Sequence, residues 1–256
     1  MHSLILTVHN KGWLLGEVLE RIKKYTAGPY ELIVVLDGCS DNSEEVLMSK
    51  KKLFDNIKIF HTPDVYETRA NNKGLKNAIG DYTIIIQDDM LVNEHAWNFR
   101  MQKPFDSFGD VFAVTARTAH NWIPNPNSVH INMEENLNDR WCDICIHTDH
   151  AEKRNTPRYI FAVRNSVNRG PLMINHLDLQ TMGYLDEAFE PQDMDDHDLC
   201  YRMHKKIGKV VGCYWVDIIS EDDWGGTREN GQPASWLLEA HHKNTKIFWN
   251  RHEEQI

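Results

Sequence analysis

The sequence predicts an α/β fold with a mostly parallel central sheet and helices on both faces. Two observations carry this. Short runs such as Leu32-Ile33-Val34-Val35-Leu36 are apolar throughout, and segments of helical period separate them. A third observation is the acidic residues placed directly after those runs, at Asp37 and at Asp88-Asp89. Ligands of such sheets sit beyond the carboxyl ends of the strands.

Leu4 to Val8 reads as a first buried strand. Leu14, Leu15, Val18, Leu19 and Ile22 share one helical face, so a helix follows. Leu32 to Leu36 is a second strand, closed by Asp37-Gly38, and Asp41-Asn42-Ser43 caps a helix through Glu44, Glu45 and Val46. Ile57 to Phe60 is a third strand, Arg69 to Ala78 a helix, Tyr82 to Ile86 a fourth strand and Val111 to Thr115 another. From Arg117 to Pro157 the chain is polar and rich in Asn, His and Pro, which predicts a long irregular excursion. Order returns at Asn168-Arg169-Gly170-Pro171-Leu172. A helix carrying Leu199, Met203 and Ile207, a strand from Val210 to Val216 and a helical tail from Ser235 to His252 complete the chain.

The 256 residues hold 28 Lys and Arg against 38 Asp and Glu, a formal charge of −10. That length suits one large α/β domain or two small ones, and the negative surface disfavours nucleic acid or anionic membranes as partners. No apolar run reaches the ~20 residues of a membrane span. The start, Met1 to Leu6, lacks the basic stretch of a signal peptide. Five cysteines, an odd number thinly spread, point to a reducing, cytoplasmic setting without a disulfide framework.

Three constellations carry chemistry. Asp88 and Asp89 follow the apolar Ile84-Ile85-Ile86. They are either solvated strand-end residues capping the next helix or hard-oxygen ligands of Mg²⁺ or Mn²⁺ shared with a phosphate. Asp37 leads through Gly38-Cys39-Ser40-Asp41 into a helix. This is either an ordinary βα turn or a reader of a nucleobase and ribose. Asp193, Asp195, Asp196 and Asp198 exceed what helix capping requires. Their mutual repulsion is expected to raise some of their pKa values, which suits a general base.

Together these sites resemble the inverting nucleotide-sugar glycosyltransferases of family 2, with the GT-A fold. Leu4 to Asn10 is similar to the opening strand of that family, with Thr7, Val8 and His9 departing from its pattern. Val34 to Ser43 resembles its strand and Asp-Gly-Ser-x-Asp turn, Arg69 with Asn72-Lys73-Gly74 and Ala78 to Tyr82 its donor-side stretch, and Gln87-Asp88-Asp89 its Asp-x-Asp motif. Gly183 to Glu187 and Asp195 to Leu199 resemble Gly-Gly-Phe-Asp-Glu and Glu-Asp-x-Asp-Leu. The resemblance covers roughly residues 3 to 230, and its specificity lies in the order of five motifs.

The resemblance implies a Rossmann-like GT-A domain over 1–256. Within it, 1–116 would bind the nucleotide-sugar, 117–230 would supply the acceptor region and the base, and 231–256 would be a helical tail. It implies a metal-dependent transfer from a nucleotide-sugar, UDP-sugar first, to a hydroxyl of a glycan-type acceptor, with inversion. Asp196 would be the base. Val8, Asn10, Asp37, Arg69, Asn72 and Asp88 would bind the donor, and Asp89 with Asp88 would hold Mn²⁺ or Mg²⁺. Relatives often add a later His as a metal ligand. Here Ser220 to Gly226 has none, which leaves Asp222, Asp223, His241 or His242 for that place.

Two further signals stand apart. Cys142, Cys145, His147 and His150 have the ligand types of a zinc site at tighter spacing than ordinary fingers, or are loop residues with reduced thiols. Trp224-Gly225-Gly226-Thr227-Arg228 is either a diphosphate- or acceptor-facing loop or a glycine turn with a stacked Trp. One rival function is a degenerate domain that binds nucleotide or glycan without turnover. Another is a sugar-phosphate nucleotidylyltransferase, which expects a Gly-rich basic loop that His9 to Trp13 lacks.

Overall fold

The computed structural model describes residues 1–120, 142–144, 157–221, 223–225, 228–229 and 232–252. The first half alternates as expected: β1 (His2–Val8), α1 (Gly12–Tyr25), β2 (Tyr30–Asp37), α2 (Ser43–Lys50), β3 (Ile57–Thr62), α3 (Tyr66–Leu75) and β4 (Tyr82–Gln87). Then come β5 (Leu91–Val92), α4 (Trp97–Ser107), β6 (Val111–Thr115), β7 (Thr118–His120), β8 (Cys142–Ile144), β9 (Ala162–Arg164) and β10 (Ser166–Val167). The chain continues through β11 (Leu172–Asn175), α5 (His176–Met182), α6 (Asp195–Ile207), β12 (Val210–Cys213) and β13 (Ile218–Ile219). It ends with the short pair β14 (Arg228–Glu229) and β15 (Gln232–Pro233) and with α7 (Ser235–His252).

The central sheet has the order β3-β2-β1-β4-β11-β6-β12-β9. β1 pairs in parallel with both β2 and β4, whereas β11 is antiparallel to β4 and to β6, and β9 is antiparallel to β12. β1, β2 and β4 of the parallel block are buried on both faces, which is why their sequences run apolar without alternation, whereas the edge strand β3 is only half-buried. One core layer joins α1 through Leu14, Leu15, Val18, Leu19 and Ile22 to Leu4, Leu6 and Val34. A second layer, on Ile5, Ile33 and Ile85, gathers Leu75, Leu179, Leu199 and Met203. Removing such side chains from water supplies the main driving force, ~25 cal/mol per Å² of apolar area.

Several boundaries differ from the sequence expectation for identifiable reasons. α3 begins at Tyr66 rather than Arg69 because Asp37 Oδ1 accepts the Val65 N–H at 2.8 Å, anchoring the helix start from another strand. It ends at Leu75 rather than Ala78, where Asn77 and Ala78 bond back to Gly74 and Leu75 in a tightened turn. β12 stops at Cys213 because β6, its partner, ends opposite it at Thr115. α4, with Pro104 inside it, and the short α5 are helices beyond those expected from the sequence.

Cys213 is disulfide-bonded, which counts against the reducing setting expected from the cysteine count. An odd count does not exclude one bridge between residues that the fold brings together. Cys39 and Cys200 are free thiols. Cys145, His147 and His150 of the zinc candidate, like Asp222, lie outside the described residues. No helix among the described residues is long and apolar enough to cross a membrane.

Candidate active site

The register of the parallel block decides where the acidic residues go. Val8 lies opposite Leu36, and Thr7 opposite Gln87, so the residues that follow β1 and β4 emerge beside the end of β2 at one carboxyl edge. A cleft of about 690 Å³ opens there. Asp37, Asp88, Asp89 and Asp196 all line it, with His9, Glu67, Gln87, Arg169 and His241. Side chains more than a hundred residues apart in sequence are thereby brought to one hollow.

On the β2 side, Asp37 is buried. Its Oδ1 accepts from Thr62 Oγ1 at 2.7 Å and from the Val65 N–H at 2.8 Å. His9 Nδ1 lies 2.6 Å from the Asp37 carbonyl oxygen. Asn10, at a positive φ of 49°, accepts the backbone N–H groups of Ser40 and Asp41 on its Oδ1 and so shapes the turn after β2. His9, Asp37 and Asp64 also place one ligand atom each within 4.8 Å of one another.

On the β4 side, Asp88 accepts the His9 backbone N–H at 2.9 Å. Burial pushes the Asp88 carboxyl up to about 7, with Lys11 opposing and Asp89 reinforcing that rise. Asp89 Oδ1 is buried and accepts no hydrogen bond. An orphaned buried carboxylate oxygen beside a second carboxylate that resists ionisation is costly without a counter-charge. Hard-oxygen donors of this kind fit Mg²⁺ or Mn²⁺. Of the other metal-ligand candidates, His241 lines the same cleft and is paired with Asp193 at 2.6 Å, whereas Asp223 and His242 are exposed and do not line it.

Asp196 enters from the first turn of α6. Its Oδ2 accepts the Arg169 backbone N–H at 3.2 Å, and its Oδ1 lies 2.7 Å from His197 Nδ1. Burial favours the neutral acid, but His197 and Arg169 outweigh it and hold the Asp196 carboxyl well below the usual range. Burial likewise works against a charged His197, yet Asp196 raises its pKa. This corrects the expected repulsion at Asp196, and the neighbouring carboxylates are paired with basic groups as well. Asp195 takes Arg169 and Thr68, Asp198 takes Arg202 and His252, and Asp193 takes His241.

Four residues expected at the donor, Val8, Asn10, Arg69 and Asn72, do not line the cleft; Asn10 is the one that shapes the turn after β2. Val8 is wholly buried in the sheet. Arg69 pairs with Glu190 at 2.5 Å and lies 3.7 Å from Glu187. Asn72 donates to the Leu185 carbonyl and to Glu187, and accepts the Leu185 N–H, clamping the segment before α6. Conversely, sequence reasoning missed Glu67, Arg117 and Tyr66 and treated Arg169 as a mere turn residue, yet all four line the cleft. A buried Arg or Glu has no periodic signature; only the acids that face Arg169 disclose its role. Gly225 also lines the cleft, and the Trp224 carbonyl accepts from Lys11 Nζ at 2.5 Å.

Residues 3–170 match the sequence model of Glycosyl transferase family 2. The chain belongs to that family. The glycosyltransferase GlyG of Streptococcus pneumoniae is 29% identical over 110 residues, 43% of this chain and 36% of that protein. The GalNAc(5)-diNAcBac-PP-undecaprenol beta-1,3-glucosyltransferase of Campylobacter jejuni is 29% identical over 112 residues, again 43% and 36%. The matched stretch therefore spans about a third of these relatives. Among solved structures, GalNAc-T7 with UDP, GalNAc and Mn²⁺ superimposes with a TM-score of 0.69 at 15% identity, covering 98% of this chain and 47% of that one. The mannosyltransferase PcManGT of Pyrobaculum calidifontis, in complex with GDP-Man and Mn²⁺, gives 0.61 at 14% identity over 90% and 58%. At such identities the likeness establishes the GT-A fold of this family 2 member, with its large, mostly parallel sheet.

Proposed function

We propose that this family 2 chain is a metal-dependent, inverting glycosyltransferase that moves a sugar from a nucleotide-sugar, UDP-sugar first, to a hydroxyl of a glycan-type acceptor. One observation carries the reading. A carboxylate pair with an orphaned oxygen shares a single cleft with a separate carboxylate kept ionised by a guanidinium and an imidazole. Solved neighbours crystallised with UDP, with UDP-GlcNAc, or with GDP-Man and Mn²⁺ support the ligand class. Cytoplasmic placement belongs to the same proposal; the free thiols of Cys39 and Cys200 favour it and the bridge at Cys213 counts against it.

Asp89 and Asp88 would hold the cation, which when bound supplies positive charge to neutralise a departing diphosphate. Asp37, at the far side of the same carboxyl edge, keeps Oδ2 for a nucleobase or ribose donor because Oδ1 is committed to Thr62 and Val65. Asp196 takes the proton of the attacking hydroxyl on a carboxylate oxygen, while Arg169 and His197 keep it oriented. With the nucleophile and the leaving group in one cleft and no nucleophilic side chain required, displacement is direct and the anomeric configuration inverts.

The test incubates the protein with UDP-, GDP- and dTDP-sugars, with Mn²⁺, Mg²⁺ or EDTA, and follows nucleotide release with and without oligosaccharide acceptors. Metal-dependent release and an inverted product by NMR are expected; release that is unaffected by EDTA overturns the metal assignment. The second reading, a domain that binds without turnover, draws on the neutral Gln87 at the first acidic position of the motif. Nucleotide binding without release under any condition would select it.

A further inference from the structure

We propose that Gln87 is a positioning residue that couples the strand end bearing Asp88 and Asp89 to the Arg169 clamp on Asp196; this rests on the transfer reaction proposed for the cleft. The Gln87 amide stands between groups of opposite charge. Its Nε2 donates to Glu67 Oε1 at 3.0 Å, and its Oε1 accepts from Arg117 at 3.1 Å. Satisfying both neighbours at once requires a side chain with a donor and an acceptor end, which an amide has and a carboxylate lacks. An acid at this position would meet Glu67 acceptor to acceptor, beside the carboxylates of Asp88 and Asp89. Gln87 is therefore suited to this chain, rather than a weakened copy of the family's acid.

The connection runs onward from Glu67. The oxygen that accepts from Gln87 lies 3.4 Å from Arg169 Nε. Arg169 is buried, pairs with Asp195 through both terminal nitrogens, and donates its backbone N–H to Asp196. Amide, carboxylate and arginine thus form a series from the end of β4, and the arginine's backbone N–H makes the last link to Asp196, the carboxylate that takes the proton. Gly170, next to Arg169, completes the fit: a Cβ there would strike Gln87 Oε1, so the amide occupies space that a side chain at 170 would fill. Disturbing the amide removes a constraint on Glu67, then on the Arg169 guanidinium, and so on the residue whose backbone N–H orients Asp196. Displacements of about 1 Å at a reacting group cost on the order of 100-fold in rate.

Exchanging the two side chains tests this. Gln87→Glu sets two carboxylates against each other, whereas the double variant Glu67→Gln/Gln87→Glu restores a donor–acceptor pair in the reverse sense with the total charge unchanged. Turnover of the donor in Gln87→Glu is expected to fall about tenfold or more, with the Kd for UDP and Mn²⁺ within about threefold of the parent, and to recover in the double variant. A melting-temperature cycle on the parent, Gln87→Glu, Glu67→Gln and the double variant should show the same coupling without any activity, a loss of several degrees in Gln87→Glu that the exchange reverses. Full turnover in Gln87→Glu, or a double variant no better than the single ones, overturns the proposal. If the parent itself releases no nucleotide, the transfer reading fails and the positioning role with it, whereas the melting cycle alone decides whether the two side chains are coupled.

Discussion

The backbone N–H of Arg169 donates to Asp196 Oδ2 at 3.2 Å while its guanidinium is locked on Asp195. One residue thus holds two neighbouring carboxylates from its main chain and its side chain. It explains how four aspartates within six residues coexist at the mouth of a helix: the chain supplies a cation or hydroxyl to each, and only Asp196 among the α6 acids turns its carboxylate to the cleft.

Asp196→Asn is expected to lower transfer by about 100- to 10,000-fold, the usual contribution of a general base. The amide is the same size, so UDP binding, measured by calorimetry with Mn²⁺, should change little. Retained turnover would remove the base assignment.

The pairing of His197 with Asp196 gives a defined pH signature. His197 has a folded pKa above 6.5, so its contribution to stability is fully present below that value and is lost as pH rises through the folded pKa. Asp196 has a folded pKa below 3.8, so its contribution is present above that value and is lost as pH falls. The difference in melting temperature between the parent and His197→Gln should therefore be largest from about pH 4 to 6.5 and shrink on either side. A difference that is flat from about pH 4 to 9 contradicts the ion pair.

Asp89→Asn replaces the carboxylate whose Oδ1 has no partner. UDP with Mn²⁺ at about 100 times its Kd should stabilise the parent by about 2.7 kcal/mol. This stabilisation is expected to vanish in the variant, as read by thermal shift with and without EDTA. An undiminished shift would place the cation elsewhere, with the His9, Asp37 and Asp64 group the next to test.

Asn244 on α7 is buried, and its Nδ2 lies within hydrogen-bonding distance of the carbonyls of Phe189, Gln192 and Asp193, the segment leading into Asp196. Asn244→Leu keeps the bulk and removes the donor. Urea unfolding should show a loss of about 1–3 kcal/mol, the cost of leaving buried acceptors unpaired. A loss near zero would mean that the tail does not hold this segment.

The sequence by itself determined the alternation of β1 to β4 with α1 to α3, the burial of β1, β2 and β4 and the tail helix Ser235–His252, because apolar runs and helical periods are local properties. It also marked Asp37, Asp88, Asp89 and Asp196 as the acids to watch, and all four line one cleft. Tertiary structure alone decided the antiparallel insertion of β11 between β4 and β6, since strand order depends on contacts between distant segments. It likewise turned Arg69 and Asn72 away from the cleft and brought Glu67, Arg117 and Arg169 into it. The sign of the shift at Asp196 followed from the same folding. Sequence proximity suggested repulsion among acids, but the charges that set a pKa are those nearest in space, and here they are Arg169 and His197.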